Sequence, residues 1–165
     1  MAGAEVVTIL LVEDDPADQK LIRKSLENQS VGNQPCIVSS GEEAMDFLYC
    51  RGDYSSGSPR PDLIMLDLNM PGMGGKEFLS RIKADSELAQ IPVVILTTSK
   101  AERDIIDSYK LHASGYVNKP LTLNDFDRVM EKISDYWFVV CKQPPKEPPS
   151  IGSKAIATEG AHLRR

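Results

Sequence analysis

The sequence predicts an α/β domain, an open, doubly wound sheet of five parallel strands with helices on both faces. Three observations predict it. Short apolar runs bounded by turn residues recur along the chain, the pattern of strands buried on both faces. Between them lie stretches with apolar residues at helical spacing. The two patterns alternate five times, which favours a parallel sheet covered by helices on each side.

Each element has its own signal. Val6–Val12 (VVTILLV) is almost unbroken apolar sequence rich in β-branched residues, and reads as the first strand. Asp15 followed by Pro16 marks a helix start, an N-cap with proline at the first helical position. Ala17, Leu21 and Ser25, with Ile22 and Leu26 beside them, give that first helix its periodicity. Cys36–Val38 is the second strand, and Ala44, Phe47 and Leu48 mark the second helix. Leu63–Leu66 (LIML) is the third strand, followed by a helix carrying Phe78, Leu79 and Ile82. Val93–Thr97 (VVILT) is the fourth strand, and Ile105, Ile106 and Tyr109 indicate the fourth helix. Tyr116–Val117 is a short fifth strand. The last helix is the clearest, with Leu123, Phe126, Val129, Met130, Ile133 and Trp137 in one stripe. Beyond Lys142 the chain turns Pro-rich, so a domain over 1–142 and a disordered tail over 143–165 are expected.

Composition narrows the function. With 165 residues the chain can bury a sizeable core, and 41% apolar with 26% charged residues is ordinary for a globular protein. The net charge of −5 and pI near 5.1 argue against nucleic acid or anionic membrane as a partner. Cys36, Cys50 and Cys141 are odd in number, far apart and without a C-x-x-C pair. They suit reduced thiols in a cytoplasmic protein better than disulfides or a zinc site. No apolar run approaches the ~20 residues of a membrane span, and the N-terminus does not read as a signal peptide.

Geometry directs attention to strand ends. In open parallel sheets ligands bind at the carboxyl ends of the strands, where strand order reverses. Glu13, Asp14 and Asp15 follow the first run, Asp67 the third, Thr97 and Thr98 end the fourth, and Asn118, Lys119 and Pro120 follow the fifth. Each has a plain structural explanation alone: capping for Asp15, a turn acid before Asn69-Met70-Pro71-Gly72 for Asp67, strand filler for Thr97. Their conjunction needs another account. Three gathered carboxylates repel by roughly 4 kcal/mol per pair at ~4 Å and an effective dielectric near 20. A hard divalent cation such as Mg²⁺ relieves this, binding one or two carboxylates together with phosphate oxygens. A carboxylate also attacks phosphorus to form an aspartyl phosphate. Lys119 and Thr97 would neutralise and hydrogen-bond the transferred group. His112 and His162 have no part in this set.

ILLVEDDP, LIMLDLNMPGMGG, VVILTTS and GYVNKP, in this order, resemble the marker segments of the receiver domains of two-component response regulators, over about residues 5–140. The resemblance implies the flavodoxin-like receiver fold, with Glu13 and Asp14 as Mg²⁺ ligands and Asp67 as phosphoacceptor and ligand. It gives Asn69 a metal-binding backbone carbonyl, Thr97 the switch hydroxyl, Tyr116 the switch aromatic and Lys119 the phosphoryl contact, with a cis peptide at Lys119–Pro120. Gly74 departs from the acid many receivers carry there. The long segment Arg51–Pro61 (RGDYSSGSPRP) and the PRPDLIMLDLNMP that overlaps it resemble single-domain receivers that work with bacterial phytochromes; a neutral surface insertion is the other account of the loop.

The expected function is therefore a phosphorelay: a sensor histidine kinase, such as a phytochrome kinase, transfers a phosphoryl group to Asp67, and partners are then exchanged. On this expectation Thr97 moves toward the phosphoryl group, Tyr116 turns inward, and the face of the fourth helix, fifth strand and fifth helix changes population. The chain would be a phosphoacceptor rather than an enzyme acting on other molecules. No output module is recognisable, so the signal passes to another protein. Tyr136–Val140 (YWFVV) offers a homodimer surface or packs into the domain's own core. The alternative is a receiver-like partner-binding protein that acts without phosphorylation. A phosphatase of the haloacid-dehalogenase type would need an acid at Asn69. A flavodoxin-like electron carrier would need phosphate-cradling donors after the first strand, where this chain is acidic.

Overall fold

The structure, a computed structural model, describes residues 6–29, 33–97, 113–119 and 122–134. Five strands, β1 (Val7–Val12), β2 (Asn33–Val38), β3 (Leu63–Asp67), β4 (Val93–Thr97) and β5 (Gly115–Asn118), form one sheet. Among the described residues four α-helices accompany it: α1 (Pro16–Glu27), α2 (Gly41–Tyr49), α3 (Gly75–Ala84) and α4 (Leu123–Ser134). The helix expected around Ile105–Tyr109 lies outside the described residues, as do Tyr136–Val140 and the tail; α4 is the expected last helix.

Every strand pair is parallel, and the order is β2-β1-β3-β4-β5. The chain steps outward from β1 to β2, then returns across β1 to β3, so strand order reverses between β1 and β3. That is where an open α/β sheet leaves a crevice at its carboxyl edge.

Alternation along the strands divides the core into two layers. Leu10, Val12, Ile64, Leu66, Val93 and Ile95 pack with Phe47, Phe78, Leu79 and Ile82 on the α2–α3 side. Ile9, Leu11, Leu63, Met65, Val94 and Leu96 pack with Ile22, Leu26, Phe126 and Met130 on the α1–α4 side. The three central strands, β1, β3 and β4, are almost wholly apolar because both faces are covered. The expected cap is present: the Asp15 side chain accepts a hydrogen bond from the Ala17 N–H at 2.9 Å, and Pro16 opens α1. A second cap sets α2, where Ser40 Oγ accepts from the Glu43 N–H at 3.0 Å.

The Arg51–Pro61 connection is more than an exposed insertion. It begins as a 3₁₀ turn, Gly52–Tyr54, whose Tyr54 ring packs edge-on against Phe47 at 5.1 Å. The Tyr54 hydroxyl donates to Glu43 Oε2 at 2.7 Å, and the Ser58 hydroxyl donates to the Phe47 carbonyl at 2.5 Å. The loop is thereby fastened along α2.

Candidate functional site

Sheet register brings the strand-end residues level. Val12 pairs with Leu66, so Glu13 and Asp67 each stand one position beyond that pair on adjacent strands. Asp67 pairs with Leu96, placing Thr97 next along β4, and Thr97 pairs with Asn118, immediately before Lys119. Residues remote in sequence thus form a staircase across four strand ends. Asp67 is the last residue of β3 itself, paired with Leu96 on β4 and one position beyond the last β1 pair, Val12–Leu66.

The acids lie deep. Glu13 is fully buried and Asp67 is 4% exposed, while Asp14 is half-buried at the rim. One carboxylate oxygen from each of the three lies within 4.8 Å of the other two. Their backbones are well held. The Glu13 N–H donates to the Val38 carbonyl at 3.1 Å, and the Gln19 amide donates to the Glu13 carbonyl at 2.5 Å. Asp67 Oδ1 accepts the Asn69 N–H at 3.1 Å, and Glu13 Oε2 accepts the Asp15 N–H at 3.2 Å.

Lys119 supplies the cation. Its ammonium sits 2.5 Å from Glu13 Oε1, 2.9 Å from Asp18 Oδ2 and 3.3 Å from Asp67 Oδ2, with the side chain only 8% exposed. Three carboxylates, those of Glu13, Asp18 and Asp67, therefore share one positive charge, with Asp14 close to Glu13 and Asp67. Burial pushes the Glu13 carboxyl up to about 8; Lys119 pulls it back and Asp67 adds to the rise. Burial pushes the Lys119 ammonium down, but Glu13, Asp18 and Asp67 outweigh it and raise it above the ordinary lysine range.

This donor set fits a hard divalent cation. Octahedral Mg²⁺ bonds of about 2.1 Å hold ligand oxygens roughly 3–4 Å apart, so small side-chain movements close the present spacing. Glu13 Oε1 is buried and accepts no well-directed hydrogen bond among the described residues, because the Lys119 contact lies off the required line. An oxygen in that condition is costly unless a charge meets it. Asn69 is exposed beside the acids, two residues after Asp67.

The structure thus gathers Glu13, Asp14, Asp67 and Lys119, with Asn69 alongside. Thr97 and Tyr116 are placed by backbone register alone; their side chains, and Pro120 with the expected cis bond, lie outside the described residues. Sequence reasoning missed Asp18. As an acid in the first turn of α1 it reads as a complement to the helix dipole, and nothing in the sequence announces that it meets Lys119, 101 positions away.

Comparison with known proteins identifies the family and the fold. A family model for the response regulator receiver domain matches residues 9–131. Response regulator Rcp1 of Synechocystis sp. is 42% identical over 136 residues, 82% of this chain and 92% of Rcp1. Among solved structures, the phosphorylated cyanobacterial phytochrome response regulator RcpA matches with a TM-score of 0.77 at 40% identity, covering 86% of this chain and 100% of the RcpA chain. The Mn²⁺-bound form of Rcp1 matches with a TM-score of 0.75 at 41% identity, covering 84% and 99%.

Proposed function

Because the chain belongs to the response regulator receiver domain family, we propose that Asp67 accepts a phosphoryl group from a sensor histidine kinase in a Mg²⁺-dependent reaction. The single observation that carries this reading is the meeting of Glu13, Asp14, Asp67 and Lys119 at the reversal point of the sheet. An Asp67 carboxylate oxygen attacks phosphorus, the phosphorus–nitrogen bond of the kinase's phosphohistidine breaks, and the bond pair stays on the imidazole nitrogen, which takes up a proton. Lys119, already 3.3 Å from Asp67, neutralises charge on the transferred oxygens. Thr97, at the end of the neighbouring strand, is assigned the switch hydroxyl, with Tyr116 following it. Glu13, Asp14, Asp67 and the Asn69 carbonyl would hold the cation. Bound Mg²⁺ supplies charge neutralisation at the phosphoryl group. Water attack on the same phosphorus later returns the Asp67 carboxylate and inorganic phosphate.

The likeness to a phytochrome response regulator, along nearly the whole domain, supports a phytochrome-linked kinase as the donor. The apolar run Tyr136–Val140 supports a homodimer built through the extension of the last helix. No helix among the described residues is long and apolar enough to cross a membrane, which is compatible with a cytoplasmic site of action.

The test is labelling with acetyl phosphate and phosphotransfer from candidate kinases, a phytochrome kinase among them. The wild-type chain should gain one phosphoryl group only with Mg²⁺ present, and Asp67→Asn should gain none. Equal labelling of Asp67→Asn would remove Asp67 from this role. For the dimer, Phe138→Asp should sediment as a monomer.

A further inference from the structure

In the unmodified site three carboxylates lie around the Lys119 ammonium, which donates a hydrogen bond to Asp18. An ammonium has three donors, and Glu13 Oε1, Asp18 Oδ2 and Asp67 Oδ2 lie at 2.5, 2.9 and 3.3 Å. A phosphoryl group on Asp67 brings further oxygens that compete for the same donors. The acyl phosphate leaves Asp67 only an uncharged carbonyl oxygen, so its lysine donor passes to the phosphoryl group. A further donor is freed only if Glu13 or Asp18 gives way, and the two are not equally able to. The Glu13 side chain is fully buried, so its carboxylate cannot exchange the lysine for water at low cost. Asp18 is 29% exposed. It also stands in the first turn of α1, three residues after the Asp15 cap, where the helix dipole favours a negative charge without a partner.

We propose that Asp18 is a positioning residue, a releasable anchor that holds Lys119 while Asp67 is unmodified and surrenders it to the phosphoryl group. Among the described residues the Asp18 carboxylate pairs with Lys119 and makes no hydrogen bond or ion pair with Glu13, Asp14 or Asp67, so it acts through the lysine. By binding Lys119 in the unmodified state, it sets how readily the site accepts a phosphoryl-shaped group. The idea rests on the reading of Asp67 as phosphoacceptor, and the test separates the two.

The test titrates the full chain with beryllofluoride, a phosphoryl mimic, at saturating Mg²⁺. Four proteins are compared: wild type, Asp18→Asn, Lys119→Met and the double variant. Releasing a partly exposed charge pair should tighten binding in Asp18→Asn by about threefold. In the Lys119→Met background the same substitution should change nothing, because the group it acts through is gone. Asp18→Ser, which puts an uncharged hydroxyl in the first turn, should shift affinity in the same direction as Asp18→Asn. Unchanged or weaker binding by Asp18→Asn overturns the proposal. So does an equal effect with and without Lys119, since that is general electrostatics. An Asp67→Asn control that binds beryllofluoride as wild type does would instead overturn the phosphoacceptor reading.

Discussion

At Glu13, burial and two neighbouring charges pull on the carboxyl in opposing directions. Burial dominates, and the group titrates near 8 instead of near its usual 4.5. The folded state then holds a proton that the unfolded chain has already released over this interval, so stability decreases with rising pH. Glu13 therefore contributes stability that is fully present below about 4.5 and is lost as pH climbs through about 8. Thermal unfolding of the chelator-treated protein should show this decline across pH 5–8. Glu13→Gln, which cannot ionise, should flatten it. If the decline keeps its full size in Glu13→Gln, another group is responsible. Of the acids at the site, Glu13, Asp14 and Asp67 were legible from sequence because each directly follows or ends an apolar strand. Asp18 was not, since its partner is reached only through folding.

Among the elements, the junction of β3 and α3 is built to a tolerance that a single methyl group exceeds. A Cβ on Gly75 would lie 2.5 Å from the Asp67 carbonyl oxygen and 2.6 Å from Leu68 Cα. Gly75→Ala must therefore push α3 away from the strand end that carries Asp67. It should cost about 1–3 kcal/mol in urea unfolding and slow phosphoryl labelling as well; a variant of wild-type stability and labelling rate would show that the junction yields freely. Gly41 opens α2 with similar tightness, a Cβ there falling 2.7 Å from the Met73 carbonyl oxygen. The neighbouring Glu42 side chain accepts the Met73 N–H at 3.1 Å, tying the loop after Asp67 to α2. On the other side of the sheet, Phe126 is fully buried among Ile22, Leu26 and Met130. Phe126→Ala should cost about 3–5 kcal/mol, read as a lower urea midpoint. Helical spacing had already identified Phe126 as core. The Arg51–Pro61 loop was harder to read, because Tyr54 and Ser58 find their partners on α2 and no periodicity marks such contacts.

For the whole molecule, the site opposes the stability of the fold that carries it. Glu13, Asp18 and Asp67 crowd around one ammonium with Asp14 beside Glu13 and Asp67, and like charges at this range destabilise the metal-free protein. Mg²⁺, bound by the folded state alone, should raise the unfolding temperature, and chelation should reverse the gain. Asp67→Asn removes one negative charge from the cluster. It should melt higher than wild type without metal and gain less from added Mg²⁺. A metal-free Asp67→Asn protein that melts lower than wild type would mean that the lost Lys119 contact outweighs the relieved repulsion.

The sequence by itself determined the α/β class, the five strands, and the candidate reversal-point site with three of its acids, Glu13, Asp14 and Asp67. Burial on both sheet faces demands continuous apolar runs, and the polar residue that ends such a run must emerge at the sheet edge. Only the tertiary structure decided that Lys119 divides its charge among Glu13, Asp18 and Asp67, and that Tyr54 and Ser58 fasten the long loop to α2. Those outcomes depend on distances between side chains brought together by the packing of helices on the sheet. Periodicity along a chain records which face is buried, and carries no measure of what stands opposite it.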